Sequence, residues 1–183
     1  MGLANWLTIV RILLIPVFVT SLVYNRSLLA LVTFVVAGLT DMLDGYIART
    51  RGTKTRLGAF LDPLADKLLL TASFITITYK FSKLLPFWLT AIVLSRDLLL
   101  VLVVMLIMLT GGQIHPAPTA LGKVSTVFQM VTVGAVLLAL VLGPGHDLKL
   151  LRTGLVFMTA VLTVASALQY LILAPRFVDW GGR

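Results

Sequence analysis

Decisive for the fold of this chain is the stretch Asp41-Met-Leu-Asp44-Gly45-Tyr-Ile-Ala48-Arg49, followed after eight residues by Gly58-Ala-Phe-Leu-Asp62-Pro-Leu-Ala-Asp66. It holds four of the seven acidic residues in a chain that contains no Glu. Asp41 and Asp44 are spaced i,i+3, and Asp62 and Asp66 are spaced i,i+4, so each pair lies on one face of a helix. Because both pairs stand in apolar surroundings, the pattern predicts two membrane helices that present carboxylates to each other.

Such a carboxylate cluster predicts a metal site. Four carboxylates cannot remain charged in an apolar interior without compensation. Hard oxygen ligands suit Mg²⁺, Mn²⁺ or Ca²⁺, and four carboxylates carry the charge that two divalent cations would cancel. We therefore expect two divalent cations held by Asp41, Asp44, Asp62 and Asp66, with Mg²⁺ or Mn²⁺ favoured over Ca²⁺.

The composition predicts an integral membrane protein of a single domain, residues 1–183. The chain is 59% apolar and only 12% charged, and its mean hydropathy is +1.05. It has no Cys, which excludes disulfides and thiolate chemistry. The net charge of +8 is typical of basic residues that hold membrane helices near anionic lipid. A nucleic-acid partner is not expected, because no basic stripe is interleaved with aromatic residues.

Apolar runs predict an all-α bundle of six transmembrane helices, each long enough for a hydrocarbon core about 30 Å thick. Six spans place both termini on one side, together with the basic cluster between the second and third spans. The positive-inside rule makes that side cytoplasmic, although Lys80, Lys83, Lys149 and Arg152 oppose it. We expect a bacterial inner membrane. The predicted spans are Leu7–Tyr24, Leu28–Thr50, Leu57–Phe81, Leu84–Thr110, Thr119–Leu142 and Leu148–Leu173.

This topology predicts that the four carboxylates meet in a cavity that opens to the cytoplasm and is accessible from lipid. Arg96 lies near the middle of the fourth span and Lys123 at the start of the fifth. An arginine at that depth usually has a partner or a ligand. Because adjacent residues of a helix do not face each other, we expect Arg96 to bind an anionic ligand rather than Asp97.

Paired metals and cationic side chains in a lipid-accessible cavity favour phosphate chemistry, in which metals neutralise phosphate oxygens and a carboxylate accepts a proton. Two other classes are possible. An ion or proton transporter using the Asp cluster would need carboxylates distributed along a pathway, whereas these cluster at one depth. A purely structural membrane protein would pair the Asp residues with Arg49 and Lys67, which leaves too few cations for four carboxylates.

The spacing Asp41-x2-Asp44-Gly45-x2-Ala48-Arg49-x8-Gly58-x3-Asp62-x3-Asp66 resembles the complete signature of the CDP-alcohol phosphotransferase family. The resemblance implies that Asp41, Asp44 and Asp62 hold the metals, with Asp66 as partial ligand and general base. It implies an acceptor phosphate bound by Arg96 and Lys123, and a homodimer. The residues implied to bind the CDP moiety of CDP-diacylglycerol are Asn5, Asp44, Gly45, Ala48, Arg49 and Gly58.

Two branches of that family differ in their acceptor. The segments Asn5-Trp-Leu-Thr8-Ile-Val-Arg11, Leu61 to Lys67 and Leu121-Gly122-Lys123 resemble phosphatidylglycerophosphate synthases, which use glycerol 3-phosphate. Ser95-Arg96-Asp97 resembles the CMP-forming cardiolipin synthases, which use phosphatidylglycerol. We expect glycerol 3-phosphate as the acceptor, with phosphatidylglycerol as the alternative.

Overall fold

The computed structural model describes the backbone of residues 3–51, 56–109, 113–114, 119–143, 148–173 and 178–179. It describes the side chains of residues 9–40, 67–102, 105, 119–143 and 148–172. Within these residues the chain forms six α-helices and one pair of two-residue strands. The helices are α1 Leu3–Val23, α2 Ser27–Arg51, α3 Arg56–Lys80, α4 Phe87–Leu109, α5 Ala120–Leu142 and α6 Lys149–Leu173. The six predicted helical segments are thereby confirmed, with small differences at their ends.

The largest change at an internal boundary is the start of α4, which begins at Phe87 rather than at the predicted Leu84. The cause is Pro86, because the residue before a proline is disfavoured in the helical conformation. The chain therefore turns first, and the N–H of Leu89 then donates to the carbonyl of Pro86 at 3.1 Å. Proline is well suited to this position, where its missing N–H costs no hydrogen bond.

A short strand pair lies where the sequence predicts only a loop, from Gly111 to Pro118. The strands β1, Gln113–Ile114, and β2, Val178–Asp179, are antiparallel, with Ile114 opposite Val178. Both residues of that pair are β-branched, which favours extended backbone. Within the described residues this pair is a minor addition to a fold that is otherwise all-helical, as predicted.

The chain divides into two compact units, of which the first comprises residues 1–85 and 133–148. Within it, α1 packs against both α2 and α3. The rings of Phe18 and Phe34 lie 6.0 Å apart between their centroids. Among the described side chains of α1 to α3, the large buried ones are apolar except for Arg11, which is fully buried. The apolar ones are Phe18, Leu22, Phe34, Leu69, Leu70, Phe74 and Ile77.

A lysine joins the ends of two helices in the first unit. Lys80, the last residue of α3, donates from Nζ to the carbonyl oxygens of Leu22, at 2.7 Å, and of Val23. The last carbonyls of a helix have no N–H partner within the helix, and a cation is favourable beside them. Lys80 therefore has a structural role at the end of α1.

The second unit comprises residues 86–132 and 149–183. In it α4 packs against α6, and the rings of Trp88 and Phe157 lie 5.8 Å apart between their centroids. The N-terminal half of α5 is joined to α6 by hydrogen bonds among side chains that are buried and polar. We call this set the polar seam; it consists of Ser125, Gln129 and Thr132 on α5, and Thr159 and Thr163 on α6.

The outer faces of α5 and α6 reverse the pattern of a soluble protein. Large apolar side chains on these faces are exposed, among them Val127, Val161 and Leu168, while the polar seam is buried. In the described part of the chain, two helices are long and apolar enough to cross a membrane, Ala120–Leu142 and Lys149–Ile172. An apolar outer face with polar side chains turned inward is typical of helices surrounded by hydrocarbon. The pattern indicates a membrane protein.

Candidate functional site

The residues of the carboxylate motif lie on helical backbone. α2 includes Asp41 and Asp44, and α3 includes Asp62 and Asp66. The i,i+3 and i,i+4 spacings therefore place each pair on one face of its helix, as the sequence predicts. Their side chains, and those of the predicted CDP-binding residues Asn5, Gly45, Ala48, Arg49 and Gly58, lie outside the described ones. The convergence of the four carboxylates stays a prediction.

The helix α1 packs against both helices that carry the motif, and it brings a buried charge with it. Arg11 is fully buried. A buried guanidinium is tolerated only when anionic groups compensate it. By sequence, the acidic residues of the first unit are Asp147 and the four motif aspartates. Arg11 thus adds positive charge to the part of the fold in which the motif lies.

The predicted acceptor residue Arg96 is buried in the second unit, with 6% of its side chain exposed. Its Nη1 lies 2.7 Å from Oδ1 of Asp97, and its Nη2 donates to Oγ of Ser166 at 3.1 Å. The expectation that Arg96 does not pair with its neighbour was wrong. Adjacent Cβ atoms do point in different directions, but the arginine side chain is long enough to curl back around the helix.

These contacts leave one nitrogen of the guanidinium without a described hydrogen-bond partner. The group has five N–H donors in a planar fork, and two of its nitrogens are engaged by Asp97 and Ser166. Its buried Nε has no hydrogen-bond partner within the described part of the chain. A buried donor without an acceptor is costly, so this nitrogen is suited to an oxygen of a bound anion.

Two further groups approach Arg96 from the other helices of the unit. The ring of Tyr170 on α6 lies 5.8 Å from the guanidinium carbon. On α5, a Cβ added to Gly122 would lie 3.3 Å from Nη2 of Arg96, 3.1 Å from Oη of Tyr170 and 3.0 Å from Oγ1 of Thr119. We call the set of residues around this arginine the Arg96 cradle: Asp97, Thr119, Gly122, Ser166 and Tyr170.

Thr119 also caps α5, because it lies just before the first residue of that helix. Its Oγ1 accepts a hydrogen bond from the N–H of Gly122 at 3.2 Å, as an N-cap side chain does. The other predicted acceptor residue, Lys123, follows Gly122 and is exposed. None of the described contacts joins Lys123 directly to Arg96, and a shared role for the two residues stays a prediction.

Apart from Arg96 and Asp97, sequence reasoning missed the cradle. The available signal was the spacing of Thr159, Thr163, Ser166 and Tyr170, which falls on one stripe of α6. That stripe predicts a polar helix face, but it does not say which residue of α4 the face meets. Among the described side chains there is no group of three or more His, Asp or Glu that could hold a metal.

Comparison with known proteins identifies the class. The family model for CDP-alcohol phosphatidyltransferase matches residues 1–169, which is most of the chain. The chain therefore belongs to the CDP-alcohol phosphatidyltransferase family, and the resemblance noted in the sequence is confirmed. Members of this family are transferases of substituted phosphate groups.

Individual relatives match over most of their length. A protein of Mycobacterium tuberculosis named "Probable phosphatidylglycerophosphate synthase" is 36% identical over 189 residues, covering 99% of this chain and 84% of the relative. A protein of Yersinia pestis named "CDP-diacylglycerol--glycerol-3-phosphate 3-phosphatidyltransferase" is 31% identical over 177 residues, covering 93% of each chain. The relative of the same name in Yersinia enterocolitica is also 31% identical, over 177 residues.

Proposed function

We propose that this protein transfers the phosphatidyl group of CDP-diacylglycerol to glycerol 3-phosphate, producing phosphatidylglycerophosphate and CMP. The observation that carries the proposal is the complete carboxylate motif on α2 and α3 of a chain that belongs to this transferase family. The names of the relatives in Mycobacterium and Yersinia support glycerol 3-phosphate as the acceptor.

In the proposed reaction a hydroxyl of the acceptor attacks the phosphorus that carries diacylglycerol. A new P–O bond forms to the acceptor, and the bond from that phosphorus to the bridging oxygen of CMP breaks. The hydroxyl proton passes to the carboxylate of Asp66, which acts as general base, and CMP leaves with the bridging oxygen. Atoms and charges balance without a redox partner.

The donor set of the motif fits divalent cations. Asp41, Asp44, Asp62 and Asp66 offer only carboxylate oxygens, which are the ligands that Mg²⁺ and Mn²⁺ prefer. The family generally depends on divalent cations, and we propose that these four residues hold two of them. When bound, such ions neutralise diphosphate charge and orient the reacting oxygens. We place the CDP moiety beside Asn5, Gly45, Ala48, Arg49 and Gly58.

Arg96 is proposed to bind the phosphate of the acceptor. It is buried, and its Nε has no described partner, so an anion would satisfy a donor that is otherwise costly. Lys123 is exposed near the start of α5, and we propose that it contributes positive charge as the acceptor arrives. Electrostatic attraction of this kind raises the rate of encounter with an anionic substrate.

We further propose six membrane spans, with the site facing the cytoplasm. The basic cluster between α2 and α3 supports this orientation. Lys80, Lys83, Lys149 and Arg152 oppose it, although Lys80 also donates to the carbonyls of Leu22 and Val23.

The deciding experiment is an acceptor assay on the purified full chain with CDP-diacylglycerol and Mg²⁺. Glycerol 3-phosphate and phosphatidylglycerol are offered separately, and CMP release is followed. We expect turnover with glycerol 3-phosphate alone. Turnover with phosphatidylglycerol alone would instead make the protein a CMP-forming cardiolipin synthase, and CMP release with neither acceptor would refute both assignments.

A further inference from the structure

The Arg96 cradle brings together side chains from α4, α5 and α6 whose presence the proposed reaction has not yet explained. We propose that Gly122, Ser166 and Tyr170 are positioning residues, which hold the guanidinium of Arg96 in the orientation that binds the acceptor's phosphate. The inference rests on the proposed function for the identity of that phosphate. The geometry itself rests only on described contacts within the second unit.

Ser166 fixes one end of the guanidinium. Its hydroxyl is fully buried and accepts a hydrogen bond from Nη2 of Arg96 at 3.1 Å. Asp97 holds the other terminal nitrogen at 2.7 Å. A planar group that is held at two nitrogens cannot rotate freely, so its third nitrogen, Nε, points in one direction. Hydrogen bonds to a charged group are also stronger than those between neutral groups.

The ring of Tyr170 also contacts the guanidinium of Arg96. Its ring centroid is 5.8 Å from the guanidinium carbon, which is within the range of a cation–π interaction. The ring stands one helical turn after Ser166 on α6, so both residues approach Arg96 from one face of that helix. Its contribution requires the aromatic ring but not the phenolic hydroxyl.

Gly122 leaves the space that this arrangement needs. A Cβ at this position would lie 3.3 Å from Nη2 of Arg96, closer than ordinary van der Waals contact. The neighbours cannot easily give way: Thr119 is held by its bond to the N–H of Gly122, and Arg96 is held by Asp97 and Ser166. A methyl group here would therefore force Thr119, Tyr170 and the guanidinium of Arg96 to shift by up to a few tenths of an ångström.

The polar seam keeps the two sides of the cradle in register. Thr163 Oγ1 lies 3.1 Å from Ser125 Oγ and accepts from Gln129 Nε2 at 3.3 Å. Ser125 stands three residues after Gly122, and Thr163 stands three residues before Ser166, so these bonds lie one turn away from the cradle. They oppose sliding of α5 along α6, which would change the spacing between Gly122 and Ser166.

The central test compares Gly122→Ala with Gly134→Ala, which is on the same helix but has no atom within 4 Å of the added Cβ. In the acceptor assay we expect Gly122→Ala to raise the KM for glycerol 3-phosphate about tenfold, since misplacing a charged donor costs at least one hydrogen bond to a charge. The KM for CDP-diacylglycerol should stay within about twofold. Gly134→Ala should change neither value.

Two further pairs keep the test decisive if Gly122→Ala folds poorly. Ser166→Ala should raise the KM for glycerol 3-phosphate about tenfold, whereas Ser95→Ala, at an exposed serine beside Arg96, should not. Tyr170→Phe retains the ring, so its KM for glycerol 3-phosphate should stay within about twofold of the wild-type value. Tyr170→Leu removes the ring and should raise that KM about fivefold. Equal effects within either pair, or parallel rises in the KM of both substrates, would overturn the positioning role.

A binding measurement separates this inference from the proposed function. Inorganic phosphate should raise the melting temperature of the wild type and of Gly134→Ala, and this stabilisation should be lost in Gly122→Ala and Ser166→Ala. If phosphate stabilises the wild type and Gly134→Ala but not Gly122→Ala or Ser166→Ala, while the wild type releases no CMP with glycerol 3-phosphate, the proposed function fails and the positioning role stands. If phosphate stabilises all variants alike, the positioning role fails whatever the turnover.

Discussion

The substitution Thr163→Val tests the polar seam, because it removes one hydroxyl with almost no change of shape. Thr163 is fully buried, and its Oγ1 interacts with both Ser125 and Gln129. The variant leaves these two polar groups buried without their partner. Single side-chain hydrogen bonds between membrane helices are worth about 0.6 kcal/mol on average and at most about 1.7. Loss of two should therefore cost about 1–2 kcal/mol.

For a chain of this length, that loss corresponds to a fall in melting temperature of about 2–8 °C. The matched control is Thr153→Val, the same chemical change at an exposed position of α6, which should leave the melting temperature unchanged. Thermal unfolding in a mild detergent, followed by circular dichroism, gives both values. The double variant Ser125→Ala with Thr163→Val should be less destabilised than the sum of its single variants, because it removes both partners of one bond.

Two outcomes would refute this reasoning. If Thr163→Val melts at the same temperature as Thr153→Val, the buried hydroxyls do not stabilise the contact between α5 and α6. If the double variant equals the sum of the single variants, Ser125 and Thr163 do not interact energetically, whatever the 3.1 Å between their oxygens.

Three further predictions concern the proposed chemistry and the end of α1. Asp66→Asn should lower kcat for CMP release by about 10²–10⁴-fold, as loss of a general base does. The control Asp147→Asn, outside the motif, should remain active. Comparable activity of the two variants would exclude Asp66 as the base. Chelation by EDTA should abolish CMP release, and added Mg²⁺ or Mn²⁺ should restore it; full activity in excess chelator would contradict the metal site. Lys80→Met should destabilise the protein by about 1 kcal/mol, because the carbonyls of Leu22 and Val23 lose their donor. The control Lys83→Met, at an exposed position, should not destabilise it. Equal melting temperatures of the two variants would show that the contact of Lys80 with these carbonyls contributes nothing to stability.

The positions of the helices could be predicted because each depends on local sequence. Long apolar runs bounded by polar turns define α1 to α6, and the later start of α4 follows from Pro86. The carboxylate motif was readable for the same reason, since its spacing acts within one helix at a time. The short pairing of β1 with β2 could not be predicted, because it joins residues more than sixty positions apart.

The contacts of charged residues could not be predicted, since they depend on where distant helices meet. Lys80 caps carbonyls 57 and 58 residues earlier in the chain, and Ser166 meets Arg96 across 70 residues. The error over Asp97 has another cause. The rule that adjacent residues diverge concerns the direction of Cβ, and it does not limit a side chain with four rotatable bonds.

The pairing of Arg96 with Asp97 explains how a buried arginine is tolerated before any substrate binds. An isolated buried charge costs several kcal/mol, and a close carboxylate offsets much of that cost. The pairing uses only Nη1, however, and Ser166 takes a single hydrogen bond from Nη2. A phosphate arriving at Nε therefore need not displace Asp97, and it meets a guanidinium whose orientation is already fixed. Because little ordering remains to be done on binding, more of the interaction energy appears as affinity, and this is why the positioning variants should act on the acceptor's KM.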